Sequence, residues 1–486
     1  MEVISVAEIS RPSRFRLRPS EHRVIIFLGD LVAAVGALIG SLYTWRQYSL
    51  YVLISQGIPE ARALRFLTIE PPFWFYFLPA IWLLLLIELY DSHAAANWKK
   101  TLRGIAIAAL VGLIGYSVVF TTFKDPNSLP RIGVGAFLLY ASLLTLIWRL
   151  IYIRIYTSPG MLRRVLVVGA GKAGQTLAEM YALLWPPPFN LIGYIDDDPR
   201  KIGGQVYRFP ILAGSDKLVE IIEQQHISDV VVAINGEIRG STFQALLDIQ
   251  ESGVEIVRMT TMYEELTGRV PIHHLESDWI IRSFVDEVRV SGFYEMTKRI
   301  LDVLGSLVGL AILAILTPFI ALATIFDSGL PVFYSQERLG KGGSVFHIYK
   351  FRTMRQDAEL DGKPRLAQKH DPRITRVGSF LRVTRLDELP QFWNVLRGDM
   401  SLVGPRAERP ELVAEFQKQI PFYRARLLVK PGLTGWAQVN YGYVATVEDT
   451  AVKLEYDLYY IKHRNLWLDL FIILRTIGTV LGRRGR

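Results

Sequence analysis

Residues 300–325 read ILDVLGSLVGLAILAILTPFIALATI. The run is apolar over more than the ~20 residues needed to cross hydrocarbon. It also carries Pro318 in its second half. Proline lacks a backbone donor and its ring clashes with the preceding turn, so a sharp helix break is expected at Thr317-Pro318. Lys298 and Arg299 lie before the run; Arg338 and Lys341 lie after it. Cations collect on the cytoplasmic side of a membrane, so both ends read as cytoplasmic. A straight span would carry the C-terminal third out of the cell. A bent helix over about 298–325, dipping in and returning, satisfies both flanks.

Toward the N-terminus, four more apolar segments fall at about 24–45, 73–90, 104–122 and 134–153. Arg11, Arg14, Arg16, Arg18 and Arg23 precede the first; Lys99, Lys100 and Arg103 separate the second and third; Arg154, Arg163 and Arg164 follow the fourth. The loop near 124–131 has only Lys124 and Arg131. This asymmetry puts the N-terminus, the 91–103 loop and everything after about 155 in the cytoplasm. Arg62 and Arg65 in the 46–72 loop pull mildly the other way. The first 22 residues are polar and Arg-bearing, unlike a cleavable signal peptide. The chain has 486 residues, 50% of them hydrophobic, which fits a membrane part joined to water-facing domains. A net charge of +9 suits an anionic partner: nucleic acid, lipid headgroup or phosphorylated substrate. With no Cys, disulfides, iron–sulfur clusters and thiolate zinc sites are excluded.

Between the oily segments lies α/β sequence. RRVLVVGAGKAGQTLAEMYALL (163–184) reads as strand, Gly turn and amphipathic helix. LIGYIDDD (191–198), DVVVAI (229–234) and VEIVRM (254–259) are further strands, in the rhythm of a doubly wound parallel sheet. Gly169, Gly171 and Gly174 open a helix directly after a strand, as in dinucleotide-binding turns, and Asp196 stands where a ribose-binding acid would sit. The same glycines also serve tight turning and close helix packing. Tyr294 and Lys298 have the spacing of a short-chain dehydrogenase pair, but a Tyr beside Lys-Arg is also a membrane-interface anchor.

The densest chemistry lies in TRLDELPQFWNVLRGDMSLVGPR (384–406) and its surroundings. Asp387 and Glu388 are adjacent, with Arg382, Arg385, Arg397 and Arg406 near in sequence and Lys350 and Arg352 ending a predicted strand after a Gly-rich turn. Such a pair can be an ordinary surface pair. Against a phosphorylated substrate, one carboxylate can hold Mg²⁺ through oxygen ligands and one can attack phosphorus, while Arg neutralises the phosphoryl oxygens. The closing helix, 466–486, suits either the membrane interface or a core.

These residues carry a resemblance. KRILDVLGSLVGL…TPF, QERLGKGGSVFHIYKFRTM, the 371–406 stretch, VKPGLTGWAQVN and KLEYDLYYIKHRNLWLDL occur in order over about 190 residues. Together they resemble the catalytic domain of the bacterial polyprenyl-phosphate hexose-1-phosphate transferases, the monotopic phosphoglycosyl transferases. With the preceding parts, the chain looks like a large member of that family. The resemblance implies a multi-domain membrane protein: a four-helix transmembrane N-terminal bundle (1–155), a Rossmann-like α/β middle domain (156–285), and a mixed α/β monotopic catalytic domain (286–486) with a Pro-broken re-entrant helix. It implies transfer of hexose-1-phosphate from a UDP-sugar, glucose before galactose, to undecaprenyl phosphate, with loss of UMP. That would be the first membrane step of exopolysaccharide, capsule or O-antigen synthesis. Asp387 would form a sugar-phosphoryl intermediate, Glu388 would assist, and Mg²⁺ would bind at the pair. Arg382, Lys350 and Arg406 would hold phosphate. Arg352, Gly432, Thr434, Trp436, Gln438 and Asn440 would shape the substrate pocket. Implied partners are a UDP-hexose, undecaprenyl phosphate, membrane lipid and a second copy in a homodimer, with no nucleic acid; the site would face the cytoplasm at the bacterial inner membrane. The family's helix break usually has Ser-Pro where this chain has Thr317-Pro318, and Ala407 stands where Pro often follows the Gly-Pro-Arg. The alternatives are a membrane-tethered NAD-dependent nucleotide-sugar dehydratase using Tyr294 and Lys298, and a non-catalytic polysaccharide-assembly scaffold.

Overall fold

The structure is a computed structural model that describes residues 19–66, 71–90, 95, 97–122, 130–156, 162–185, 187–275, 292–355, 371–442 and 446–481. Arg11, Arg14, Arg16, Arg18 and Lys124, the expected domain boundary near 285 and the terminal basic cluster lie outside the described residues. The chain forms two compact units, Met1–Met259 and Thr260–Arg486.

In the first unit, helices Pro19–Ser55, Trp98–Thr122 and Arg131–Tyr156 are long and apolar enough to cross a membrane. The second expected span is apolar but shorter and broken. It runs as a 3-10 turn (Phe73–Phe77), a short α-helix (Leu78–Leu85) and a second 3-10 turn (Ile87–Tyr90). Its proline-rich start explains part of this: Pro79 sits in the first α-helical turn, where a missing donor costs least. Ala34, Ala37, Trp82, Leu86, Ile105, Phe137 and Ala141 form the bundle core. Val32, Ile39, Leu110, Val118, Leu139 and Ile147 point outward and stay exposed. Apolar residues on both sides of the helices mark a membrane protein, because lipid replaces water as the outer solvent. Small residues allow close approach: a Cβ on Gly29 would lie 1.9 Å from the Trp148 ring. The bundle also holds a fully buried ion pair. Arg149 donates to both carboxylate oxygens of Asp30, at 3.2 and 2.7 Å, and to the Leu89 carbonyl at 2.8 Å.

The same unit contains a six-stranded sheet: β1 (Arg164–Val168), β2 (Asn190–Ile195), β3 (Gln205–Val206), β4 (Phe209–Ala213), β5 (Asp229–Val232) and β6 (Glu255–Arg258). The order is β3-β4-β2-β1-β5-β6. All pairings are parallel except the edge pair β3–β4. The four strands expected from sequence are β1, β2, β5 and β6. The paired glycines at 203–204 and Pro210 punctuate the short apolar pieces of 203–213 and hid the hairpin β3–β4.

The second unit begins with residues that precede its long helix. Val270 and Ile272 are buried in one core with Val403, Leu454, Leu458, Tyr460 and Ile472. Glu264 meets Lys462 at 3.2 Å and His463 at 2.9 Å. Helix Gly292–Ser328 follows and is continuous through Pro318. The expected interruption of the helix at Thr317-Pro318 is therefore not found. One proline deletes a single donor, and the helical ladder resumes on either side. Thr317 Oγ1 donates to the Leu313 carbonyl at 2.7 Å, its own acceptor four residues back, rather than to the Ala314 carbonyl left without a donor by Pro318. β7 (Phe333–Leu339) and β8 (Val345–Phe351) form an antiparallel hairpin, turned through Gly342 and Gly343 at positive φ. β9 (Ser401–Val403) and β10 (Gly432–Thr434) pair in parallel. Helix Leu466–Leu481 buries Ile472 and Asp469 and exposes Trp467, so one face is core and the other is not.

Candidate active site

The Asp-Glu pair is placed by a sharp backbone reversal. Helix Arg376–Thr384 is N-capped by Thr375, whose side chain accepts from the Gly378 N–H at 3.0 Å. Arg385 then takes a left-handed conformation (φ 59°) and starts the 3-10 turn Leu386–Gln391. A non-glycine residue at positive φ is uncommon and marks a turn held by its surroundings. The turn presents Asp387 and Glu388, each 8% exposed, toward β8.

The two carboxylates have opposite environments. Glu388 Oε1 accepts from Lys350 Nζ at 3.1 Å and from Arg406 Nη2 at 2.9 Å. Its Oε2 accepts from Arg385 Nη1 at 3.4 Å. Burial would raise its pKa, but Lys350, Arg406 and Arg385 together hold it far below the usual carboxylate range. Asp387 makes no hydrogen bond or ion pair among the described residues, yet its oxygens are not sealed from solvent. Burial and the neighbouring Glu388 charge push its pKa up, against Lys350, Arg382 and Arg406. Lys350 is pushed down by its burial, and Arg406 is raised chiefly by Glu388. The pair is therefore asymmetric: one carboxylate is a fixed anion bound by three cations, and the other is unclaimed.

The remaining expected residues divide. Arg382 Nε donates to Thr353 Oγ1 at 2.9 Å, beside β8. Arg352 is buried and caps the long helix, donating to the Ser328 carbonyl at 2.9 Å, to Ser328 Oγ and to the Gly329 carbonyl. Gly432 pairs with Arg406 in an isolated bridge, and its N–H meets the Pro405 carbonyl at 2.8 Å. A Cβ on Gly432 would lie 2.1 Å from the Gly404 nitrogen, so this glycine serves close backbone approach. Thr434 bonds Thr476; Trp436 Nε1 donates to the Gly268 carbonyl at 2.8 Å and its ring stacks on Tyr459. Gln438 donates to the Leu433 carbonyl, and Asn440 bonds Trp436 and Arg475. The structure thus gathers Asp387, Glu388, Lys350 and Arg406, with Gly432 behind them. It gives Thr434, Trp436, Gln438 and Asn440 partners inside the domain. Arg385 was not singled out from sequence for a role at the site; its three-residue spacing from Glu388 was the available signal.

No group of three or more His, Cys, Asp or Glu that could hold a metal occurs among the described residues. Mg²⁺ commonly uses one or two carboxylates and completes its shell with substrate phosphates and water. Asp387 fits one such ligand position. Glu388, with both oxygens taken by cations, does not.

The glycine turn of the first unit has internal duties. Gly169 adopts φ 111°, and a Cβ there would lie 2.7 Å from the Ala233 carbonyl oxygen; on Gly174 it would lie 2.2 Å from the Gly169 oxygen. Gly171 alone faces open space. Asp196 accepts from the Ala170 N–H at 2.8 Å and from Lys201 Nζ at 2.9 Å, so it closes the turn itself. Tyr294 and Lys298 lie in the other unit, where both donate to Asp469 at 2.9 Å. That pair is a buried anchor for helix Leu466–Leu481, and the dehydratase alternative loses its active-site residues.

Comparison with known proteins agrees with this geometry. Residues 293–483 match the family described as bacterial sugar transferase, and residues 86–258 match a model described as a CoA-binding domain. A UDP-N-acetylgalactosamine-undecaprenyl-phosphate N-acetylgalactosaminephosphotransferase from Aeromonas hydrophila is 43% identical over 47% of this chain and 52% of its own length. UDP-glucose:undecaprenyl-phosphate glucose-1-phosphate transferases from Xanthomonas campestris pv. campestris and Escherichia coli (strain K12) are 32% and 40% identical. They match over 66% and 65% of this chain and 67% of each relative. The match thus spans about half the length of the first relative and about two thirds of the other two. On these matches, the chain belongs to the bacterial sugar transferase family.

Proposed function

We propose that this protein transfers a sugar-1-phosphate from a UDP-sugar to undecaprenyl phosphate through a covalent intermediate on Asp387. The observation that carries the reading is the asymmetry of the pair. A nucleophile must be ionised, reachable and uncommitted. Asp387 meets the last two conditions, and Lys350, Arg382 and Arg406 favour the first against its burial and the Glu388 charge. In the first step an Asp387 oxygen bonds the β-phosphorus, the bond from that phosphorus to the bridging oxygen breaks, and UMP leaves with the electron pair. In the second, an oxygen of undecaprenyl phosphate bonds the same phosphorus and the Asp387–phosphorus bond breaks. The product is the diphosphate-linked sugar, and the carboxylate is restored. Glu388 keeps Lys350 and Arg406 beside the reacting phosphoryl group, where their remaining donors would meet developing charge. Bound Mg²⁺ would neutralise diphosphate charge, and Asp387 is the carboxylate of the pair with an oxygen open to hold it. Among the relatives' named sugars, glucose is the first candidate, ahead of galactose and N-acetylgalactosamine.

The long helix supports a membrane-dipping arrangement, with the catalytic domain on the cytoplasmic side where its flanking cations would place it. Arg299 near its start donates to the Val395 and Leu396 carbonyls at 2.8 and 2.7 Å. Asp327 near its end accepts from the Val377 N–H at 2.9 Å. These points are 28 residues apart, about 42 Å along a straight α-helix and more than the ~30 Å of hydrocarbon. Between them, Gly305 lies against Leu402, Gly309 against Phe392, and Ile320 packs with Phe351 and Leu381. One face follows a single domain throughout, while Leu304, Val308, Ile315, Phe319, Leu322 and Phe326 remain exposed. A helix crossing the bilayer alone would not keep one water-facing domain along its whole length.

Release of UMP from a panel of UDP-sugars with undecaprenyl phosphate tests the reaction. Labelled sugar-phosphate should be retained on the wild-type chain when acceptor is withheld, and be lost in Asp387→Asn. Full activity of Asp387→Asn would remove the nucleophile from Asp387.

A further inference from the structure

Behind Arg406 lies a set of buried charges that the chemistry above does not use. Arg426, 4% exposed, belongs to the 3-10 turn Tyr423–Leu428. Its Nη1 donates to Tyr423 Oη at 2.7 Å. Its Nη2 donates to Asp457 Oδ2 at 2.9 Å and to the Arg406 carbonyl at 3.2 Å. Glu408 accepts from Lys453 Nζ at 2.8 Å and lies 3.6 Å from Arg426 and 3.7 Å from Arg338. These cations hold Glu408 down at about 2 against its burial.

The network grips one short piece of backbone. The Pro405 carbonyl accepts from the Gly432 N–H, that of Arg406 from Arg426, that of Ala407 from Arg338, and that of Glu408 from the Leu339 N–H. Four successive carbonyls are thus fixed by four different residues. A buried ion network is a weak way to stabilise a fold, because desolvation offsets its attraction. It does impose geometry. Arg406 carries a long side chain, 35% exposed, that must reach Glu388 Oε1 at 2.9 Å. Its backbone has to be held for that reach to be reproducible.

We propose that Arg426 is a positioning residue that fixes the backbone from which Arg406 reaches Glu388. The inference rests on the reading of Asp387 and Glu388 given above. Arg426 touches no reacting atom and acts only through Arg406. Loosening it therefore mimics loss of Arg406. Weakening that hold should lower turnover by the route that loss of Arg406 takes.

The test is a mutant cycle on the full-length protein in lipid nanodiscs. It measures UMP release with undecaprenyl phosphate and the UDP-sugar that turns over. Arg426→Lys keeps the charge but loses the fork. It should lower kcat about tenfold, with KM for the UDP-sugar unchanged within about twofold. In an Arg406→Ala background, Arg426→Lys should cost no more than about twofold further. Multiplying losses, or a loss carried by KM with kcat unchanged, would overturn the proposal. If Arg426→Lys does not accumulate as folded protein, Asp457→Asn, which loosens the same guanidinium, is put through the same cycle with the same outcomes. Asp387→Asn runs in parallel. Its inactivity beside an additive cycle refutes only the role of Arg426, whereas its full activity overturns both readings.

Discussion

Lys350→Met separates a charge that tunes the nucleophile from one that merely binds substrate. Methionine keeps an unbranched stem and removes the ammonium that lies 3.1 Å from Glu388 Oε1. Coulomb attraction at that separation is about 5 kcal/mol for an effective dielectric constant of 20, an upper bound. Arg406 at 2.9 Å and Arg385 at 3.4 Å keep Glu388 ionised, so the loss is closer to one charged hydrogen bond, about 1.5–3 kcal/mol. If that loss appears in the transition state, kcat/KM near neutral pH falls roughly 10- to 150-fold. The pH dependence is the sharper readout. Asp387 attacks only when ionised, and Lys350 is first among the cations that lower its pKa. Removing Lys350 raises that pKa, so the acid limb moves to higher pH and part of the rate returns in alkaline buffer. UMP release measured from acid to alkaline pH reads this directly. A uniform loss at every pH, with the limb unmoved, would show that Lys350 serves phosphate binding alone and would refute the tuning argument.

Three further outcomes follow from the packing. Asp30→Ala leaves the buried Arg149 guanidinium with the Leu89 carbonyl and the Tyr90 ring but no counter-charge and should cost about 3–5 kcal/mol, while Asp30→Leu with Arg149→Met should recover most of it; thermal unfolding in detergent compares the two, and equal losses would contradict the pairing. Gly309→Ala places a Cβ 2.4 Å from the Phe392 ring and should destabilise the C-terminal unit by about 1–3 kcal/mol, with Phe392→Leu as a partial suppressor in the same assay. Glu455 is pushed up to about 7 by burial, with Tyr263 and Arg269 beside it. Its folded state therefore holds an extra proton between about 4.5 and 7, and stability falls as pH rises through that window by on the order of 3 kcal/mol. Glu455→Gln should flatten that dependence in melting curves taken from pH 5 to 8.

Much of the architecture was legible because it depends on local pattern. Apolar runs near spanning length marked the long N-terminal helices, and alternating apolar strands with a glycine turn marked β1, β2, β5 and β6. The 73–90 segment matched in composition but not in continuity, since hydropathy does not register where a proline-rich stretch turns 3-10. At Pro318 the opposite occurred. The sequence implied an interruption, and the helix Gly292–Ser328 continues because losing one donor does not undo the neighbouring ladder. Asp196 followed its motif spacing, but its carboxylate turned back on the Ala170 N–H, a choice no spacing rule encodes.

The sequence by itself determined the membrane-embedded class, the α/β sheet, the family and the candidate pair Asp387-Glu388. These are properties of composition, period and motif order, all written along the chain. Tertiary structure alone decided which carboxylate is spoken for. Lys350 and Arg406 stand 38 and 18 residues from Glu388, and both converge on one of its oxygens. Adjacent acids have nearly the same sequence neighbourhood, so only the fold can surround one with cations and leave the other open. The same holds for Arg426, whose duty appears only when the turn Tyr423–Leu428, Asp457 and the Arg406 carbonyl are brought within hydrogen-bond reach.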